Sequence, residues 1–208
     1  MHYPAILNIK EKHVVVVGGG KIATRKVTSL VEAKAIVTVI SPQITNELYL
    51  FFKEQKIQWK QKTFEPIDVK EAFLIIAATD DREVNEKVYQ SKKEYQLINM
   101  VDQPEKSDFI VPSVLKRGKL IISISTSGAF PGLAKNIKQD LCDQFDTRYE
   151  SYLSFLEECR IYIINTIKNE QEKRVLLKEL LNPALLDLSE EERERMFQQL
   201  IEQRREMK

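Results

Sequence analysis

The chain has 208 residues, 43% of them hydrophobic and 30% charged, with a formal net charge of +1. This length suits one ordinary domain, or a compact domain with a smaller helical appendage, and the composition reads as soluble and globular. The near-neutral balance excludes a polybasic nucleic-acid binder and a polyacidic tail.

No apolar run approaches the roughly eighteen residues of a membrane span. The opening MHYPAILNIKEKH lacks the basic region and long apolar stretch of a signal peptide. A cytoplasmic protein with no nucleic-acid or membrane partner is expected. Cys142 and Cys159 lie far apart and form no CxxC pair, so they read as buried or half-buried thiols rather than metal ligands or a redox couple.

In chain order, HVVVVG (His13 to Gly18) is a β-branched run of the kind found in a strand buried on both faces. KIATRKVTSLVEA follows with Ile22, Ala23, Val27, Leu30 and Val31 at helical spacing. AIVTVIS (35–41) is the next strand. A helix near 45–55 and a short strand at 57–60 come after it. AFLIIAAT (72–79) is another buried strand, DDREVNEKVYQSKKEY an amphipathic helix that opens on acids, and QLINMVD (96–102) a fifth strand. Strands separated by helices in this rhythm predict a parallel sheet with helices on both faces. The rhythm breaks near Pro104. DFIVPSVLKRGKLIISISTSG predicts two strands around KRGK, with Pro112 at an edge or strand end. From Pro131 the pattern is helical, and the last helix opens on Ser189 with Glu192 three residues later, a capping-box signature. The expected organisation is an α/β Rossmann-type domain (1–112), a small segment (113–145) and a helical C-terminal domain (146–208).

Gly18, Gly20 and Ala23 fit G-x-G-x-x-[GA] directly between a strand and a helix, the context this motif requires. The first glycine permits the tight turn. The second admits a pyrophosphate, and Ala23 lets helix and strand pack closely. The helix N-terminus then faces the phosphates. One expected feature is missing: an acid about twenty residues on, at the end of the second strand, to hold the ribose 2′-OH. Ser41 stands there, so exclusion of NADP is not written in the sequence. Arg25 and Lys26 either reach a phosphate or form a solvated helix face.

In an open parallel sheet, ligands bind beyond the carboxyl ends of the strands. Thr79, Asp80, Asp81 and Asn85 follow one such end, and Asn99, Val101 and Asp102 another. Asp80 and Asp81 are candidate caps for the next helix. Asp102 is placed either to accept a proton while a hydride leaves to nicotinamide, or to close a turn before Pro104. Only His2 and His13 are available as histidines, and no Cys/His/Asp grouping has metal-ligand spacing.

The segments GGGKIATRK, AATDDREVN, NMVDQPEKSDFIVPS and ISTSGAFPGLAK occur in this order and at this spacing. Together they resemble the siroheme-synthase N-terminal family, closely over about residues 1–145 and in general character beyond. Its members are precorrin-2 dehydrogenases, some also sirohydrochlorin ferrochelatases. The resemblance implies oxidation of precorrin-2 to sirohydrochlorin with NAD⁺, a homodimer formed through about 113–145, and an active site between the nucleotide domain and the dimerisation elements. It implies Asp102 as general base, assisting metal insertion in bifunctional members, and Thr126 as a hydroxyl near the tetrapyrrole, with Ser127 and Gly128 beside it. The expected cofactor set is Gly18, Gly19, Gly20, Lys21, Ile22, Ala23, Ser41, Thr79, Asp80, Asn99 and Val101. The helix opened by Pro131 and the basic turn of Lys116, Arg117 and Lys119 are candidates for substrate carboxylates, the turn reading more simply as solvated. With histidine so scarce, dehydrogenase without chelatase is expected. The competing readings are a bifunctional enzyme, an NAD(H)-binding regulatory module, a different dehydrogenase, and an assembly protein working through its charged last helix. Fold alone decides none of them.

Overall fold

Five apolar runs pair into one parallel sheet: β1 (His13–Val17), β2 (Ile36–Ile40), β3 (Ile57–Lys60), β4 (Leu74–Ala77) and β5 (Leu97–Met100), in the order β3-β2-β1-β4-β5. The computed structural model describes residues 2–206. The chain divides into two compact units between Val111 and Pro112.

Successive residues of a strand face opposite sides of a sheet. Val14, Val16, Val37, Val39, Leu74 and Ile76 therefore share one face, packed on Ala23, Val27 and Leu30 of α1 (Lys21–Glu32) and Leu48 of α2 (Asn46–Lys53). Val15, Val17, Ile75, Ala77, Ile98 and Met100 form the other, packed on Val88 of α3 (Arg82–Ser91) and on Phe64, Val69 and Ala72. Helices on both faces explain why β1 is almost unbroken valine: polar alternation would bury polar groups. The chain winds outward from β1 through β2 to β3, then returns to β4 on the other side of β1. That reversal opens a crevice at the carboxyl ends of β1 and β4.

In the second unit, β6 (Ser113–Arg117) and β7 (Leu120–Ile124) form an antiparallel hairpin, with Arg117 opposite Leu120. Gly118 takes the turn at φ +55°, a left-handed conformation that glycine adopts without a Cβ penalty. Four helices follow: α4 (Pro131–Gln144), α5 (Arg148–Thr166), α6 (Glu170–Glu179) and α7 (Glu190–Glu206). Cys159, Ile163, Leu176, Leu180, Phe197 and Ile201 form their core. Burial pushes the Cys159 thiol up to about 12, so it stays a protonated apolar filler. Ser189 and Glu192 close the reciprocal cap at the head of α7: Glu192 N–H donates to Ser189 Oγ (3.2 Å) and Ser189 N–H to Glu192 Oε2 (2.8 Å). Arg117 Nε donates to Phe145 O (2.9 Å) and Lys119 pairs with Glu157. Hairpin, α4 and α5 thus share this unit, and a division near 145 would fall inside it. Among the described residues, no helix is long and apolar enough to cross a membrane.

Gln96, fully buried, fastens the entry to β5. Its Nε2 donates to Val69 O and Ala72 O, both at 2.6 Å, and its Oε1 accepts Lys93 N–H at 2.8 Å. Gln96→Leu orphans three backbone groups. It is expected to destabilise the first unit by about 2–4 kcal/mol, measured by urea unfolding followed through Trp59, the chain's single tryptophan.

Candidate functional site

β1 runs straight into the three glycines, and each meets a different constraint. Gly18 sits at φ +119°, and a Cβ there would lie 2.4 Å from Ala78 O at the end of β4. A Cβ on Gly19 would lie 2.0 Å from Gln43 O. The loop is thus squeezed between the segments that leave β2 and β4. Gly20 is different: nothing lies within 4 Å of where its Cβ would be. Gly20 is also the N-cap of α1, with no side-chain cap and no acid in the first turn. The first N–H groups of α1 have no partner within the helix, and their positive end faces open space.

Hydroxyls fix this geometry from behind. Thr24 Oγ1 lies 3.0 Å from Gly20 O and 2.8 Å from Thr45 Oγ1, and Thr45 N–H donates to Gly19 O at 3.0 Å. Thr45 in turn caps α2. Across the crevice, the turn after β4 is built on Asn85, which is fully buried. Asn85 Oδ1 accepts Thr79 N–H (3.2 Å) and Thr79 Oγ1–H (2.7 Å), and its Nδ2 donates to Thr79 O (3.0 Å). Asp81, not Asp80, caps α3, accepting from Glu83 and Val84 N–H.

These segments enclose a cleft of about 830 Å³. It brings together Gly18, Gly19, Gly20, Lys21, Ile22, Ser41, Thr79 and Asp80 of the expected set. Ala23 lies buried beneath, in the α1–sheet contact. Asn99 is buried and donates to Phe109 O at 3.0 Å. Val101 is half-buried on the core, and Asp102 is exposed just past β5. Thr126, Ser127 and Gly128 belong to the second unit, in a turn where Phe130 N–H donates to Thr126 Oγ1 (3.2 Å) and Ser127 and Gly128 take φ +51° and +86°. His13 lies at the opposite, amino end of β1, its Nε2 3.0 Å from Thr38 Oγ1. Among the described residues there is no cluster of three or more His, Cys, Asp or Glu able to hold a metal.

Where the acid was expected, Ser41 donates its hydroxyl proton to Gln43 O at 2.6 Å. Its oxygen is left as an acceptor. Trp59 Nε1 donates to Ser41 O at 2.9 Å, holding the end of β2. Lys62 also lines the cleft, which the sequence reading missed. Its position two residues beyond β3, on the ligand side of a parallel sheet, was the available signal. Lys62 Nζ pairs with Glu65 and lies 3.0 Å from Asp68 Oδ2. Those bonds, from Glu65 first, hold its ammonium above the usual lysine range. Burial alone would raise the Asp68 carboxyl. Hydrogen bonds from Lys62, Glu65 N–H and Lys60 overcome this and hold it below the usual value.

The open cradle at Gly20, the uncapped helix end and the acceptor at Ser41 are the groups a dinucleotide needs for its pyrophosphate and ribose. A family model described as NAD(P)-binding matches residues 5–113, and one for the SirC C-terminal domain matches 149–196. The chain is 36% identical to a precorrin-2 dehydrogenase of Priestia megaterium over 180 residues, covering 86% of this chain and 89% of the relative. The chain belongs to the precorrin-2 dehydrogenase family. A precorrin-2 dehydrogenase of Bacillus subtilis is 34% identical over 157 residues, 76% of this chain and 97% of the relative. A solved structure, SirC, precorrin-2 dehydrogenase, superposes with a TM-score of 0.83 at 35% identity, covering 97% of this chain and all of that one. The precorrin-2 dehydrogenase fold thus runs through both units of this chain.

Two outcomes follow from the cleft. Gly20→Val fills space that is open in the protein, so it should fold normally yet bind NADH at least tenfold more weakly, as read by calorimetry; normal binding would remove the pyrophosphate from this loop. Asp68 has a lowered folded pKa, so its contribution to stability is present above the ordinary 3.8 and fades as pH falls through the depressed folded value. Asp68→Asn should therefore be less stable than the parent at pH 7, with the gap closing in acid below that range, measured by urea unfolding at each pH.

Proposed function

We propose that this chain catalyses the NAD⁺-dependent oxidation of precorrin-2 to sirohydrochlorin in siroheme synthesis, acting in the cytoplasm as a homodimer. The observation that carries the proposal is the open space over Gly20 at the head of an uncapped helix, in a chain whose relatives are named for this reaction. Bound NAD⁺ supplies the oxidising chemistry by taking a hydride.

The rest falls to side chains. The loop from Gly18 to Lys21 and the head of α1 hold the pyrophosphate. Ser41 Oγ would accept a hydrogen bond from a ribose hydroxyl. Thr79 is held by Asn85 and stiffens the wall beside the nicotinamide half, with Asp80 next to it; Asn99, tied to Phe109 O, and Val101, packed on the core, hold the end of β5. Oxidation releases one proton with each hydride. Asp102 is exposed beyond β5, and among the described residues its carboxylate has no ion pair. It is the group assigned to take that proton on a carboxylate oxygen. Thr126 uses its oxygen to accept Phe130 N–H and keeps its own O–H available for a substrate carboxylate, with Ser127 and Gly128 beside it. Val114 and Ile121 on the hairpin and Leu133 and Ile137 on α4 leave apolar surface exposed within 113–145, which supports self-association there. Two free thiols suit a reducing compartment.

The test is an anaerobic absorbance time course with precorrin-2 and NAD⁺, before and after Co²⁺ is added. NADH and sirohydrochlorin should appear before any metal, and their absence would refute the proposal. Metal insertion faster than in an enzyme-free control would add a chelatase activity. Asp102→Ala should lower kcat for NADH formation by about 10²–10⁴-fold while NADH binding by calorimetry is retained. An unchanged rate would remove Asp102 from the chemistry.

A further inference from the structure

Resting on the reading of the cleft as a dinucleotide site, we infer that Glu65 and Asp68 make it select NAD over NADP by keeping the Lys62 ammonium occupied. Sites that take the unphosphorylated ribose commonly place a carboxylate at the end of the second strand, where it also repels a 2′-phosphate. This chain has Ser41 there. A serine with a lysine on the neighbouring strand end is, by composition, a set that welcomes a phosphate: one hydroxyl donor and one cation.

The structure engages both groups. Ser41 has committed its proton to Gln43 O at 2.6 Å. Lys62 lines the same cleft, and its segment is tied to the β2 end by Gln61 Nε2 donating to Pro42 O at 3.4 Å. Its Nζ is engaged by Glu65 and by Asp68 Oδ2 at 3.0 Å. Asp68 cannot swing away. Its side chain is 2% exposed, Glu65 N–H donates to Oδ2 at 3.0 Å, and Lys60 Nζ lies 3.4 Å from Oδ1. Lys60 and Lys62 balance Glu65 and Asp68, so the cluster offers an arriving phosphate no net positive charge. A 2′-phosphate would meet a Lys62 charge already neutralised by two carboxylates, whereas a 2′-hydroxyl needs only the acceptor that Ser41 still provides. The carboxylate missing from β2 is replaced in function by two placed after β3. Discrimination comes from a penalty on the wrong ligand as much as from a contact with the right one.

Glu65 is the residue to change, because its side chain is 61% exposed, whereas Asp68 is buried. Calorimetric titration of the full chain with NADH and with NADPH, without tetrapyrrole, separates the possibilities. The parent should bind NADH more tightly. Glu65→Gln should raise the NADPH-to-NADH affinity ratio about tenfold, and adding Lys62→Ala to it should abolish that gain. If the parent binds NADH but Glu65→Gln leaves the ratio where it was, Lys62 is not the lever and the inference falls while the cofactor site stands. A parent that binds NADPH as well as NADH overturns it too. A parent that binds neither nucleotide refutes the reading of the cleft itself, and the inference with it.

Discussion

Everything at the candidate site depends on three backbones meeting where no side chain fits. The glycine loop leaves β1 in contact with Ala78 O on one side and Gln43 O on the other, at distances that exclude even a methyl group at Gly18 or Gly19. That contact brings the carboxyl ends of β2, β1 and β4 together and aims the head of α1 between them. Gly20, the third glycine, is unconstrained by protein. In the proposed site, its missing side chain leaves room for the pyrophosphate. The same short run therefore serves packing in its first two residues, while its last leaves the space that the proposed cofactor site requires.

Much of this was legible in the sequence. Strands of the parallel sheet fall within two residues of the apolar runs that predict them, because β-branched runs bounded by glycine or acids admit few other solutions. The Ser189–Glu192 cap was readable because its partners are three residues apart and both bonds are local. What escaped depends on distance along the chain. The tightness at Gly19 is set by Gln43, which the motif treats as unrelated. Lys62 is an ordinary lysine until the pairing of β3 with β2 delivers it to the cleft. The short α6 is capped by Asn169 and buries little beyond Leu176, so its own pattern is weak and its place comes from packing on α5 and α7.

The two units follow different chemistry. The first is held by apolar faces and backbone ladders, and its buried polar groups include Thr38, Asn85 and Gln96 and one carboxylate, Asp68. The second buries a cation instead. Arg193 is 3% exposed and spends its guanidinium on Leu185 O (2.8 Å), Leu186 O (3.0 Å) and Ser151 Oγ (3.1 Å), while lying over the Tyr152 ring. A planar donor fork can satisfy several acceptors at once. Here it joins α7 to α5 and to the 183–187 segment, where a lysine could not span the same geometry.

The strand order also shapes how the chain is made. β1 is flanked by β2 and β4, and β4 begins only at Leu74. A ribosome has thus produced most of the first unit before the second edge of HVVVV can be covered. Parallel pairing of this kind is slow, and an uncovered valine strand is a site for wrong association. The charges that bracket the run, Lys10, Glu11 and Lys12 before it and Lys21 after the glycines, act as gatekeepers during that interval. Residues that look incidental in the finished protein thus protect its most buried strand while it is still bare.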